Sequence, residues 1–262
     1  MDEGRFSISP NVLYDSLGAA AAPVLIDVRR AAAFEADDRM VVGAVRRAPE
    51  TIDDWAAAMP ASRPAVVYCV HGHEVSRNAA ARLRAGGVEA GYLDGGIEAW
   101  AAAGLPVRRR TAAATGKWVT RARPRIDRIA CPWLIRRFID PEAVFFYAPT
   151  AEVAATAARE AAAPYDMPGV AAFGHDGELC SFDAFLRFFG IADPALDALA
   201  LIVRGADTDR LELAPQSPGL LAMSAGLSAL HADDHAMLEQ GMTLYDALYA
   251  WCRLQRVRAA AG

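Results

Sequence analysis

Ala65-Val66-Val67-Tyr68-Cys69-Val70-His71-Gly72-His73-Glu74-Val75-Ser76 runs from an unbroken apolar stretch through a short polar loop towards alanine-rich sequence. The run Ala65 to Cys69, with β-branched and aromatic residues, reads as a buried strand. Gly72 lets the loop turn tightly. From Ser76 to Ala85 the pattern is helical, with Ala80 and Leu83 on one side, until Gly86-Gly87 stops it. A cysteine between a strand end and a helix start has a chemical use. Backbone N–H groups curling around the sulfur, with the positive end of the helix dipole, stabilise a thiolate. The same donors would hold the outer sulfur of a persulfide. Taken alone, Cys-x-x-Gly reads equally well as a buried structural cysteine at a strand end.

On either side the alternation continues. Val24-Leu25-Ile26-Asp27-Val28 is a second buried strand, Val88 to Leu93 a third, and Ile97 to Ala103 a short helix closed by Gly104 and Pro106. Strands alternating with helices predict an α/β domain, a parallel sheet flanked by helices, over residues 1–108. Arg108 to Gly116 has no apolar periodicity and combines three arginines with small residues. Residues 109–116 therefore read as a linker, its arginines a solvated connection rather than an anion site. Beyond Trp118 helical patterns take over: Pro132 to Ile139, Ala151 to Ala162, Phe182 to Phe189, Pro194 to Arg204, Pro218 to Leu230 and Leu244 to Arg258. Asp193-Pro194 and Ser217-Pro218 are helix starts with Pro at the first position. Only Ala143 to Tyr147 reads as a strand, so residues 117–262 form a mostly α-helical domain.

Composition sets the outer bounds. The 262 residues suffice for two ordinary domains, and 54% apolar with 23% charged residues is a soluble globular balance. A net charge of -5 argues against nucleic acid as a partner, because phosphate binding needs a basic face. Met1-Asp2-Glu3-Gly4-Arg5 leads into no apolar targeting segment, and no stretch approaches the about 18 apolar residues of a membrane helix. The four cysteines, Cys69, Cys131, Cys180 and Cys252, are widely spaced, which fits a reducing cytoplasm better than a disulfide framework.

Four segments together resemble the rhodanese family. Leu25-Ile26-Asp27-Val28-Arg29 resembles its early Asp-Val-Arg strand, and Gly43-Ala44-Val45 its Pro-Gly-Ala segment, with Val42 in place of the proline. Val67-Tyr68-Cys69 followed by Gly72 resembles the active-site loop. Leu93-Asp94-Gly95-Gly96 with Trp100, Gly104, Leu105 and Pro106 resembles the closing motif. The resemblance covers about residues 6–108 and implies a sulfurtransferase with Cys69 as the persulfide-carrying nucleophile, no cofactor, a small sulfur donor and a thiol acceptor. Val70, His71, Gly72, His73, Glu74 and Val75 become the substrate-contacting candidates. Asp27 and Arg29 join them, although both read more readily as holding strand and loop in place. Rhodaneses often carry a basic residue and then Ser or Thr where this chain has Glu74 and Val75. An anionic rim disfavours an anionic donor such as thiosulfate, and His71 and His73 could offset it when protonated.

Trp118 to Asp140, Phe173 to Phe182 and Leu244 to Cys252 resemble the C-terminal domain of the chromate-resistance protein family, over about residues 117–256. That resemblance implies a link to chromate or oxidant stress. Ligand-capable residues cluster twice in this half. His175, Glu178 and Cys180 lie within six residues, with Asp183 close behind. His231 and His235 are four apart on an expected helix, the spacing of helical metal ligands, and Glu239 extends that face. Asp207 and Asp209 lie beyond the expected helix end at Arg204. These residues suggest a zinc, iron or oxyanion (chromate) site. The alternatives are the polar side of a surface helix for His231 to His235, and an ion-pair network of Asp127 with Arg128, Arg136 and Arg137. The sequence leaves two functions open: a sulfurtransferase fused to a ligand-binding domain, or a chromate or metal sensor whose first domain is a thiol relay.

Overall fold

Buried β-branched runs organise the first part of the chain. The computed structural model describes residues 3–111, 116–170 and 172–261. It forms two units: residues 1–110 with 137–141, and residues 111–136 with 142–262.

The first unit contains β1 (Ser7–Ile8), α1 (Pro10–Ser16), β2 (Val24–Asp27), α2 (Ala31–Ala36), β3 (Arg39–Val41), β4 (Ala44–Arg46), α3 (Ile52–Ala56), β5 (Ala65–Tyr68), α4 (Glu74–Ala85), β6 (Ala90–Leu93), α5 (Gly96–Ala102) and β7 (Val107–Arg109). Five strands make a parallel sheet in the order β1-β6-β5-β2-β4. All four residues of the central β5 are buried, the burial expected of a strand covered on both faces. Ile26, Val67, Ala80, Leu83 and Tyr92 pack together in the core. In the β2–β5 register Asp27 lies beside Tyr68, directly before Cys69. The cysteine loop thus leaves the carboxyl end of the central strand, where open α/β sheets place their sites.

Two readings of this region change. Helix α4 starts at Glu74, two residues ahead of the expected Ser76, so Glu74 and Val75 belong to its first turn rather than to the loop. Arg108 and Arg109 are in β7, antiparallel to β3, not in a solvated connection. Arg108 donates to the Ala44 carbonyl (3.1 Å), and Arg110 pairs with Glu35 (3.0 Å). Of the expected linker, residues 112–115 lie outside the described residues.

The second unit contains β8 (Lys117–Arg121), α6 (Asp127–Leu134), β9 (Val144–Ala148), α7 (Val153–Glu160), β10 (Ala163–Pro164), α8 (Ser181–Phe189), α9 (Pro194–Asp207), α10 (Ser217–Leu230) and α11 (Asp234–Ala261); α6 runs into a π turn (Ile135–Ile139) whose last three residues are counted in the first unit. It is mostly helical, but the single expected strand is one of three in a parallel sheet ordered β10-β8-β9. Charged Lys117 and Arg121 bracket the buried Trp118, Val119 and Thr120, which hides β8 from an apolar-run reading. Helix α6 begins five residues before Pro132, and α11 ten before Leu244. The expected start at Asp193-Pro194 holds: the Asp193 carboxylate accepts from the Ala195 and Leu196 N–H groups (2.8 and 2.9 Å). Trp118, Phe173, Phe185 and Phe189 form one aromatic group in the core, and Trp133, Phe182, Tyr245 and Tyr249 another.

Candidate functional site

At the end of β5, Cys69 is only 7% exposed, and its Sγ lies 3.3 Å from the Oγ of Ser76 in the first turns of α4. Ser76 is fully buried and also donates to the His73 carbonyl (3.2 Å). The sequence reading missed this residue. It places a hydroxyl beside the sulfur although Val75 occupies the expected Ser/Thr position. The loop is clamped from behind. The N–H groups of Ile97 and Glu98 in α5 donate to the carbonyls of Cys69 (3.0 Å) and Val70 (3.2 Å). Gly72 has φ +69°, and a Cβ there would sit 2.6 Å from the Leu93 carbonyl oxygen, so only glycine fits without displacing backbone.

His71, His73 and Glu74 are exposed on the loop and first helical turn, and the two imidazole rings stand 5.8 Å apart. Val75 instead packs on the core and lines a cleft of about 220 Å³ with Pro49, Ile52 and Arg82. Asp27 and Arg29, entertained as substrate contacts, are 0% and 1% exposed and bound to each other. Arg29 donates through Nε (2.9 Å) and Nη2 (2.7 Å) to Asp27 Oδ2, and Tyr68 Oη donates to the same oxygen (3.0 Å). They brace β2 against β5 behind the cysteine and have no access to a ligand.

The second unit gathers a different set. His175 Nε2 lies 3.4 Å from Asp127 Oδ2, 3.4 Å from Asp166 Oδ1 and 3.1 Å from Asp207 Oδ2. Asp127 opens α6, Asp166 follows β10, His175 is on the loop before α8, and Asp207 ends α9. Donor atoms of Asp127, His175 and Asp207 all lie within 4.8 Å of one another, close enough to share one cation. Asp166 is otherwise engaged, accepting from Arg121 Nη2 (2.6 Å) and Ser181 Oγ (3.3 Å) and ion-paired with Arg128 Nε (3.1 Å). The Ser181 N–H donates to Asp127 Oδ2 (3.3 Å). A cleft of about 430 Å³ opens on Asp166 and His175, walled by Arg121 and the segment 167–170. Two side chains depend on strained backbone: Asp166 has φ +49°, and Ile126, directly before Asp127, has φ +43°. A β-branched residue in that region is rare, and such strain gathers at functional sites.

Of the five ligands expected from sequence, only His175 belongs to this cluster. Glu178 turns to solvent and pairs with Arg210 (2.8 Å). Cys180 is buried at the N-cap of α8, where its Sγ lies 3.4 Å from Asp183, and burial pushes its thiol well above the ordinary range. His231 is the residue after α10 and has extended backbone, while His235 is in α11. They do not share a helix, so the four-residue spacing gives no common face. Glu239 pairs with Arg136 (2.7 Å), and Arg128 with Asp166 rather than Asp127. Asp127 and Asp166 were missed as ligands, and Asp207 was noted but not joined to His175, because four elements far apart in the chain bring them together.

Hydrogen bonding to Asp127 raises the His175 pKa to about 9, the neighbouring carboxylates reinforcing it against desolvation. Burial, then the charges of Asp127 and Asp166, raises Asp207 to about 8. For His175 the folded-state value exceeds the unfolded one, so its stabilisation is complete below about pH 6.5 and lost as pH rises through 9. For Asp207 ionisation favours the unfolded chain between its ordinary value and 8, which has the same sign. Chelator-treated protein is therefore expected to melt at a lower temperature at about pH 9.5 than at about pH 6.5. His175→Gln should flatten that slope in a calorimetric pH series.

Comparison with known proteins agrees with both units. Residues 9–103 match the family model for the rhodanese-like domain, and residues 118–252 that for the ChrB C-terminal domain. The protein ChrB of Cupriavidus metallidurans is 34% identical over 149 residues, which take in 56% of this chain and 44% of that protein. The chain thus spans less than half of that relative's length. Among solved structures, a rhodanese-related protein from Thermoplasma volcanium is similar at 25% identity, covering 38% of this chain and 95% of its own, with a TM-score of 0.34. A thiosulfate sulfurtransferase from Pseudomonas aeruginosa is similar at 27% identity, covering 40% and 20%, with a TM-score of 0.36. The chain belongs to the family defined by the ChrB C-terminal domain and carries a rhodanese-like domain ahead of it.

Proposed function

We propose that the protein is a rhodanese-type sulfurtransferase acting in chromate or oxidant stress, with Cys69 as its sulfur carrier. The observation that carries this is the seat of Cys69, at the end of the central parallel strand, against α4 and 3.3 Å from the Ser76 hydroxyl. The Cys69 thiolate attacks the sulfane sulfur of a donor. A new S–S bond forms, the donor's S–S bond breaks, and its remainder leaves with the electron pair. An acceptor thiolate then attacks the outer sulfur and returns Cys69 as thiolate, so no external oxidant or reductant is consumed. Ser76 positions the sulfur, and its one hydroxyl proton, turned from the His73 carbonyl to the thiolate, would hold the negative charge. The donor and acceptor are small molecules, and the cytoplasm supplies the reducing setting. No helix among the described residues is long and apolar enough to cross a membrane.

The test is a donor pulse on the full chain. A polysulfide should add the mass of one sulfur, and a small thiol should remove it with turnover. A pulse that adds none sinks the proposal. Glu74 is exposed in the first turn of α4 and sets the donor. Glu74→Arg should raise kcat/KM for thiosulfate by about tenfold, since it replaces repulsion of the dianion by attraction. An unchanged ratio of thiosulfate to neutral-donor rates would refute that role. The second unit supplies the ligand-binding part. Its carboxylates favour a metal such as zinc or iron over the chromate oxyanion at His175. The sensor reading, with Cys69 a thiol relay, predicts loading without turnover in the same assay.

A further inference from the structure

The geometry points to a divalent-cation site formed by Asp127, His175 and Asp207, suited to manganese(II) or iron(II), with an open coordination position towards the cleft beside Arg121. It rests on the reading of the second unit as a ligand-binding part and does not depend on the chemistry of Cys69.

Three arguments select this set. The first is convergence. One atom each from two carboxylates and one imidazole lies within 4.8 Å of the others, and the contacts to His175 Nε2 are 3.4 and 3.1 Å. A central cation would replace these direct contacts with metal–ligand bonds after a small side-chain adjustment. The second is the sorting of the carboxylates. Asp166 is saturated by Arg121, Arg128 and Ser181. Asp127 has the Ser181 N–H, which orients it as outer-sphere partners orient metal ligands. Asp207 faces the same imidazole from the end of α9. All three carboxylates face His175, but Asp166 also carries Arg121, Arg128 and Ser181, which leaves Asp127 and Asp207 freer to turn to a cation. The third is access. His175 is exposed enough to meet solvent and lines the 430 Å³ cleft, which gives an ion its entry and leaves room for a further ligand. Arg121 walls that cleft, so a small anion bound to the metal would meet a guanidinium.

The donor set also selects the metal. Two carboxylates with one imidazole are harder than the thiolate-rich sets of structural zinc and softer than the all-oxygen sets of calcium or magnesium. The nearby thiols stay out of it: Cys131 and Cys180 are buried and held protonated.

The experiment titrates manganese(II) chloride into chelator-treated full-length protein and follows loss of the free-ion electron paramagnetic resonance signal. Saturation at one ion per chain is expected, with His175→Gln and Asp207→Asn each weakening it at least about tenfold. Glu178→Gln, three residues from His175 but turned to solvent, should bind like the parent. His175 is partly exposed, so His175→Gln is the variant expected to keep its fold, checked by circular dichroism. Saturable binding left intact in folded His175→Gln and Asp207→Asn overturns the site while a metal-binding unit stands. No saturable binding of manganese(II), or of zinc or iron(II) in parallel titrations, overturns both.

Discussion

Cys69→Ser is expected to take up no sulfur from any donor and to lower sulfur-transfer turnover at least about a thousandfold. Serine oxygen cannot form the persulfide, so the loss concerns the bond that carries the cargo rather than binding. The substitution is nearly isosteric, and its hydroxyl can keep the contact with Ser76 Oγ, so the fold should survive. The remaining thiols give the control. Cys131, Cys180 and Cys252 are buried, and burial raises all three pKa values, Cys252 to about 11. They should load no sulfur in the variant. Intact-mass spectra of donor-treated Cys69→Ser that still gained sulfur would move the carrier elsewhere.

Asp27→Leu should cost about 3–5 kcal/mol of folding stability, the second large effect. Removing the carboxylate takes from the fully buried Arg29 its closest counter-charge, leaving Asp37 at 3.4 Å and the Arg39 carbonyl, and takes from Tyr68 Oη its acceptor. The penalty is mostly that of a charge held away from water with only the more distant Asp37 as counter-charge, and it is a large share of the about 5–15 kcal/mol that stabilises a domain. The double replacement Asp27→Leu with Arg29→Met removes both charges and should recover part of the loss. Urea unfolding of the two variants measures this, and equal midpoints would show that the ion pair is not the cause.

The first unit was legible because its signals are local. Apolar runs gave β2, β5 and β6, and the turns gave the loop. The ladder register then follows from burying both sheet faces. Cys69 lay where a strand end meets a helix start, so one short stretch contained strand, loop and candidate nucleophile. Ser76 escaped notice because α4 begins at Glu74, which changes the direction of every side chain in that turn. The second unit hid more. β8 is short with charged ends, and β10 spans two residues. Its site is assembled from positions 127, 166, 175 and 207, so no window of sequence contains it. Two signals were readable in retrospect: an aspartate in the first turn of α6 and another in the last turn of α9, each at the end of a mostly apolar helix. The His231 and His235 pair misled because a four-residue spacing has meaning only inside one continuous helix, and α10 ends just before His231 while α11 starts at Asp234.

The clamp between α5 and the cysteine loop has a directional consequence. In a trans peptide the carbonyl and the following N–H point in opposite directions. With the Cys69 and Val70 carbonyls drawn to the Ile97 and Glu98 N–H groups, the amides of Val70 and His71 must face away from α5. The helix start behind the loop thus sorts its polarity, drawing acceptors to one side and leaving donors on the other. That sorting is written in backbone alone. Replacing the side chains at 70 and 71 would reshape the rim but leave the field of these amides unchanged.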